Sequence, residues 1–336
     1  WLPPPALYAL RPAPAARKAV ESLPVEKKPK GGVPDRVVLM QSGNLDYTSA
    51  AVTAAMELGC EIDIMLNDTD DWRDAVARFG NKPKVHLINM DDFKDFEPLD
   101  LACDSHPLAS EHIKMLGRKR SLAILMAKAR GEKIISMLDN DVHSTNEHTL
   151  VNFIRTSVSH LRKNKRLQSV GTPYGRDFAS EDRSYVNYIT LQMTDLESKY
   201  KVATRAFHGG GLHTLRISDD TPPFPGMYDD DWFQIYFALR DGTLALIEEN
   251  AAQLPPLATE HPERAHKEEV GDLIAESLVM ALLENRGLID RVFELHSSGS
   301  EADRDEAKRL LADQLAFDAT NRRWQRIDLA SYLRGS

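Results

Sequence analysis

The chain has 336 residues, 42% apolar and 28% charged, with 42 basic against 51 acidic side chains and a net charge of −9. That length suits about two domains or one large α/β unit, and the acidic balance argues against nonspecific nucleic-acid binding. The two cysteines, Cys60 and Cys103, cannot make a disulfide framework, and standing in no Cys-x-x-Cys pattern they argue against a structural zinc site; the reading is a reducing, cytoplasmic setting.

Residues 1–35 carry Pro3, Pro4, Pro5, Pro12, Pro14, Pro24, Pro29 and Pro34 with Lys27, Lys28 and Lys30, the composition of an irregular arm. From there the pattern becomes regular. Apolar runs at 37–40, 61–66, 85–88 and 133–138 predict buried strands. Asp46 is placed to cap a helix running to residue 58, and 72–79 and 111–129 predict two more helices. Strands alternating with helices imply βαβ units and a mainly parallel sheet. Beyond residue 142 the pattern is less even: helices are expected at 145–161, 185–200, 268–283 and 302–317, and strands at 167–170 and 202–206. No stretch approaches the roughly 18 apolar residues of a membrane span, and no signal peptide is expected.

Parallel sheets bind ligands at the carboxyl ends of their strands, so the polar residues that follow each strand are the candidates. The sharpest is the run Ile134-Ile135-Ser136-Met137-Leu138-Asp139-Asn140-Asp141, where a buried strand leads into two carboxylates one residue apart. Strand alternation sends both side chains the same way, and hard oxygen ligands suit Mg²⁺ or Mn²⁺ bound together with substrate phosphates. Alone, Asp-Asn-Asp is also an ordinary solvated turn. Gly117-Arg118-Lys119-Arg120 precedes that strand on a helix, and its cations suit anionic oxygens; isolated, the same triplet reads as a solvated basic turn. His208-Gly209-Gly210-Gly211 lets the backbone approach a ligand closely, or makes a flexible turn. Asp229-Asp230-Asp231 begins a helix leading into Trp232 and Phe233; capping and the helix dipole account for one or two of these acids, and a third suits a general base. His266, with His261 as its rival, is a candidate third metal ligand, against the commoner structural role of a lone histidine.

This order of features resembles the GT-A-fold glycosyltransferases that use nucleotide sugars and carry a DXD motif. The resemblance spans about residues 36–240 and rests on Asp139-Asn140-Asp141, the basic helix before it, the glycine loop and the acidic helix start. It implies a GT-A-like, Rossmann-type mixed and mainly parallel sheet over 36–250, with a donor half at 36–142 and an acceptor half at 143–250. A helical extension is expected over 251–336. It also implies a metal-dependent transfer of a sugar from a nucleotide diphosphate to an acceptor hydroxyl, with Mn²⁺ or Mg²⁺. Donor-binding roles would fall to Gln41, Ser42, Gly43, Asp68, Arg118, Arg120, Asp139, Asn140, Gly210 and Gly211. The metal would fall to Asp141, Asp139 and His266. In inverting members an x-Glu-Asp motif at a helix start carries the base; its middle position is Asp230 here, which leaves Asp231 and Asp230 as candidates, with Asp231 preferred. A homo-oligomer is compatible with the sequence.

Three other classes share parts of this pattern. A haloacid-dehalogenase-type phosphatase would use Asp139 as nucleophile and Asp141 as acid, with Lys201 downstream, but its nucleophile lies on the first strand of its domain. A sugar-1-phosphate nucleotidyltransferase needs a Gly-rich, Arg-containing loop where Gln41-Ser42-Gly43-Asn44 stands. A non-catalytic protein would bind the nucleotide and turn nothing over.

Overall fold

The computed structural model describes residues 32–42, 45–66, 69–93, 96, 111–144, 149–171, 211–219, 221, 223–224, 230–231, 243–247, 252–253, 291, 294–295, 300–303, 305–307, 309–310 and 313. The first half alternates as expected: β1 (Arg36–Met40), α1 (Thr48–Leu58), β2 (Glu61–Leu66), α2 (Thr69–Phe79), β3 (Val85–Asn89), a 3-10 turn (Met90–Phe93), α3 (Glu111–Arg130) and β4 (Ile134–Asp139). There follow β5 (Val142–His143), α4 (Leu150–Lys163), β6 (Ser169–Gly171), β7 (Leu212–Arg216), β8 (Leu244–Leu246) and β9 (Ala252–Gln253).

Seven strands form one sheet in the order β3-β2-β1-β4-β7-β6-β8. The β3-β2-β1-β4 block is parallel, β7 runs antiparallel to both β4 and β6, and β6 pairs with β8 in parallel. β5 and β9 make a separate antiparallel pair. The architecture is α/β with a mixed, mainly parallel, Rossmann-like sheet.

Strand alternation builds a core on each face of this sheet. Val37, Leu39, Ile62, Ile64, Ile134 and Leu138 face one way and pack with α1, α2 and α4. Val38, Met40, Met65, Ile135 and Met137 face the other way, against Leu122, Ala123 and Met126 of α3. Since β1 lies inside the sheet and is covered on both sides, all five of its residues are buried, which is why residues 37–40 read as a continuous apolar run after Arg36. α4 is amphipathic: Leu150, Val151, Phe153, Ile154, Val158 and Leu161 are buried at helical spacing. Thr149 caps it by accepting from the Asn152 N–H at 3.2 Å.

Asp46 does not cap α1. The helix starts at Thr48 with Tyr47 as its cap residue, which makes no side-chain capping bond, and Asp46 accepts instead from Arg78 of α2 at 2.5 Å. At its other end α1 stops as expected: Gly59 has φ +70° and donates to the Met56 carbonyl at 3.0 Å. The expected helix at 145–161 begins later, at Leu150, and the strand expected at 167–170 is β6. The elements expected at 185–200, 202–206 and 268–283 lie outside the described residues. So do residues 1–31 of the arm and most of the expected C-terminal helical extension. Within 251–336, residues 252–253 are a strand, and helical residues occur at 301–303, 305–307 and 309–310.

A buried ion network closes the amino end of the sheet on the α3 side. Arg36 of β1 donates to Asp63 of β2 at 2.7 Å and to Glu132 at 2.7 Å, while Arg130 of α3 donates to the other oxygen of Asp63 at 2.6 Å. Burial pushes the Glu132 carboxyl up from its ordinary value, and the pull of Arg36 and Arg130 reverses only part of this.

Candidate functional site

The strand order reverses between β1 and β4: β2 and β3 continue on one side of β1, and β4 begins on the other. Such a reversal opens a crevice outside the carboxyl ends of the two strands. Met40, the last residue of β1, lies in register with Asp139, the last of β4. Gln41-Ser42 and Asn140-Asp141 therefore leave the sheet side by side. Asn140 joins them, its side-chain amide donating to the Ser42 carbonyl at 2.7 Å. The middle residue of the Asp-Asn-Asp motif is thus a latch between the two segments.

Gln41 is fully buried. Its side-chain oxygen accepts from the Thr48 hydroxyl, its N–H donates to the Met65 carbonyl at 3.2 Å, and its own carbonyl accepts from the Lys119 ammonium. It braces the end of β1. Ser42 is half-buried at the crevice. Gly43, Asp68, Gly210 and His266 lie outside the described residues, as does His261.

The basic helix segment is spent on the protein. Arg118 donates to the backbone carbonyls of Phe96 at 2.6 Å and Phe93 at 3.2 Å, pinning the chain after β3. Lys119 is buried beneath Gln41. Arg120, also buried, donates from one terminal nitrogen to both oxygens of Asp139, at 3.0 and 3.1 Å, and from the other to Asp230 at 2.6 Å. Asp231 stands 4.0 Å from the same guanidinium. The Phe224 ring centroid is 5.6 Å from the guanidinium carbon, a cation–π distance, and Ser121 holds Phe224 in place through a 2.7 Å bond to its carbonyl. Arg118 and Arg120, expected at the donor phosphates, make these contacts within the protein.

Lys119, one of the cations expected to suit anionic oxygens, is as buried as Arg120. One residue near this cluster carries no role in the sequence analysis. His213 of β7 is buried with its ring centroid 5.6 Å from that of Phe224. The signal for it is an ionisable residue inside the otherwise strand-like Leu212-His213-Thr214-Leu215. Gly211, the last residue of the expected glycine loop, leads into β7, and its carbonyl accepts from the Asp139 N–H at 2.8 Å.

Asp230 is fully buried and Asp231 is 11% exposed at the side chain. Among the described residues, Asp139, Asp230 and Asp231 gather around the Arg120 guanidinium, and Asp141 follows on the turn after β4. Such an acidic setting suits a cation. Among the described residues no group of three or more His, Cys, Asp or Glu side chains forms a cage for a metal. A Mg²⁺ or Mn²⁺ that bridges to substrate phosphates needs only one or two carboxylates, with water completing its shell. Asp141, half-buried on the turn after β4, fits that need. Asp139 fits it less directly, because both its oxygens already accept from Arg120. No helix among the described residues is long and apolar enough to cross a membrane. Neither protein-family models nor curated proteins match the chain, so the functional reading rests on the site's own chemistry.

Proposed function

We propose that the protein is a metal-dependent glycosyltransferase of GT-A-like fold that moves a sugar from a nucleotide diphosphate to an acceptor hydroxyl. The observation that carries this reading is the position of Asp139-Asn140-Asp141 at the carboxyl end of β4, beside the end of β1, where the strand order reverses. The donor would lie across that crevice, with its nucleotide along Ser42 and its diphosphate toward Asp141. A divalent metal held by Asp141 would neutralise charge on the leaving diphosphate.

The acceptor side would be residues 230–231. Asp230 is fully buried and bound to Arg120 at 2.6 Å, whereas Asp231 retains some exposure and is farther from the guanidinium. That contrast favours Asp231 as the base. As the acceptor oxygen bonds to the anomeric carbon, the hydroxyl proton passes to the Asp231 carboxylate. The bond from that carbon to the diphosphate oxygen breaks, and the nucleoside diphosphate leaves with the electron pair. The configuration inverts.

The test is a thermal-shift screen of uridine- and guanosine-diphosphate sugars with and without Mn²⁺. A ligand at ~100 times its dissociation constant adds ~2.7 kcal/mol to native stability. At least one nucleotide sugar should raise the melting temperature only when Mn²⁺ is present. A flat response to the whole panel overturns the reading.

A further inference from the structure

We propose that Arg120 is a positioning residue that sets the acceptor-side carboxylate Asp231 against the donor end of the site. This deepens the glycosyltransferase reading and rests on it. Asp139 ends β4, while Asp230 and Asp231 are helical residues about 90 positions later in the chain. One guanidinium joins both segments: one terminal nitrogen is on Asp139 and the other on Asp230. The side chains of Arg120 and Asp230 are 2% and 0% exposed, so water competes little for these bonds.

A planar fork suits this task. Its nitrogens are fixed relative to one another, so the two carboxylates are held at one separation and one orientation. Phe224 covers the guanidinium and is itself tied to α3 through Ser121. Asp231 follows Asp230 directly, so fixing Asp230 sets where Asp231 stands. Arg120 also offsets the repulsion among three carboxylates that otherwise would separate. In this assignment Arg120 touches neither sugar nor phosphate and acts through Asp230.

Arg120→Lys keeps the charge and loses the fork; Arg120→Gln keeps hydrogen bonding and loses the charge. Three measurements on the full chain decide the matter. The amides of Asp230 and Asp231 should exchange with deuterium at least about tenfold faster in Arg120→Lys, while β1 and β4 stay as protected as in the wild type. Affinity for UDP and GDP with Mn²⁺ should change by less than about threefold, and the Michaelis constant for the nucleotide sugar likewise. Turnover, assayed well below the melting temperature, should fall by about 10²-fold, the cost of a small misplacement at a reacting centre. Unchanged exchange at 230–231 overturns the assignment, as does faster exchange with turnover preserved. Nucleoside diphosphate affinity lowered tenfold or more would make Arg120 a phosphate ligand instead. If Arg120→Lys does not fold, Arg120→Gln is read by the same three criteria. A wild type that binds and processes no nucleotide sugar defeats the glycosyltransferase reading. A wild type that does so, beside an Arg120→Lys variant of equal turnover, defeats this inference alone.

Discussion

Asp63→Asn tests whether the ion network at the amino end of the sheet is a structural element rather than a decoration. The side chain is 2% exposed and accepts from Arg36 at 2.7 Å and from Arg130 at 2.6 Å. Glu132 supplies the only other carboxylate of the four-residue cluster, so the cluster is neutral in the wild type and carries one positive charge in the variant. The amide has nearly the same shape, which excludes a cavity as the cause of any loss. Its oxygen still accepts from one guanidinium, but its NH2 presents a donor to the other, which needs an acceptor. Removing one partner from a buried pair costs ~3–5 kcal/mol, a large part of the ~5–15 kcal/mol that holds a typical domain together. Urea unfolding followed by circular dichroism should show the midpoint falling with an unchanged slope. Adding Arg130→Met to Asp63→Asn restores neutrality and should recover at least half the loss. A loss below ~1 kcal/mol, the range of exposed pairs, or no recovery in the double variant refutes the reasoning. Nucleotide binding should survive in all of these variants. Arg130 is ten residues along α3 from Arg120, or about 15 Å at the rise of a helix.

Further outcomes follow from other parts of the structure. Asp141→Asn should abolish Mn²⁺-dependent stabilisation by a nucleotide sugar, with little change in unfolding free energy, because a half-buried carboxylate on a turn adds little to the core; thermal shift with and without metal reads both. Arg118→Ala should behave in the opposite way, losing ~1.5–3 kcal/mol of stability through its bonds to the Phe93 and Phe96 carbonyls, with nucleoside diphosphate affinity held. Burial pushes the Cys60 thiol up to about 11, so the folded protein binds its proton more tightly than the unfolded chain. The stability from Cys60 is therefore complete below the unfolded value and is lost as pH rises from about 9 to about 11. In a Cys103→Ser background, further replacement by Cys60→Ser should flatten that decline, and native Cys60 should react with a thiol reagent only on unfolding.

The sheet up to β4 was legible because its strands are short apolar runs separated by helices of plain periodicity. The structure reproduces the strands to within one residue and the helices to within three. β7 was not legible. It sits between β4 and β6, yet it carries His213 and Thr214, both buried. Thr214 is accommodated by a 2.8 Å hydroxyl bond to Ser136 on the neighbouring strand, a pairing that no local pattern records. Asp46 was misread for the same reason: its residue type suits a helix cap, but its partner, Arg78, lies 32 residues away. At the site, Asp139 and Asp141 were visible because an apolar run led straight into them. Arg118 and Arg120 were visible as charges, but sequence alone does not tell an arginine facing phosphate from one facing a carboxylate or a backbone carbonyl. Their partners are set by chain segments up to 110 residues apart.

α3 explains why one sheet can hold two clusters of charge with opposite purposes. It lies antiparallel to the strands it connects, so residue 120 reaches the carboxyl end of the sheet and residue 130 the amino end. At the amino end, Arg36 and Arg130 meet Asp63 and Glu132 in equal number. The worth of that buried network lies in the cost of breaking it. At the carboxyl end, Asp139, Asp230 and Asp231 share the Arg120 guanidinium, and Asp141 stands on the turn after β4. Asp141 and, to a lesser degree, Asp231 keep exposed surface while Asp230 does not. The exposed acids are thus the ones assigned to the metal and to the acceptor proton, and the sealed one is bound to arginine. Neutralising Asp230 should on this argument disturb folding and placement first. Neutralising Asp141 or Asp231 should spare the fold and remove, respectively, the metal dependence and the turnover.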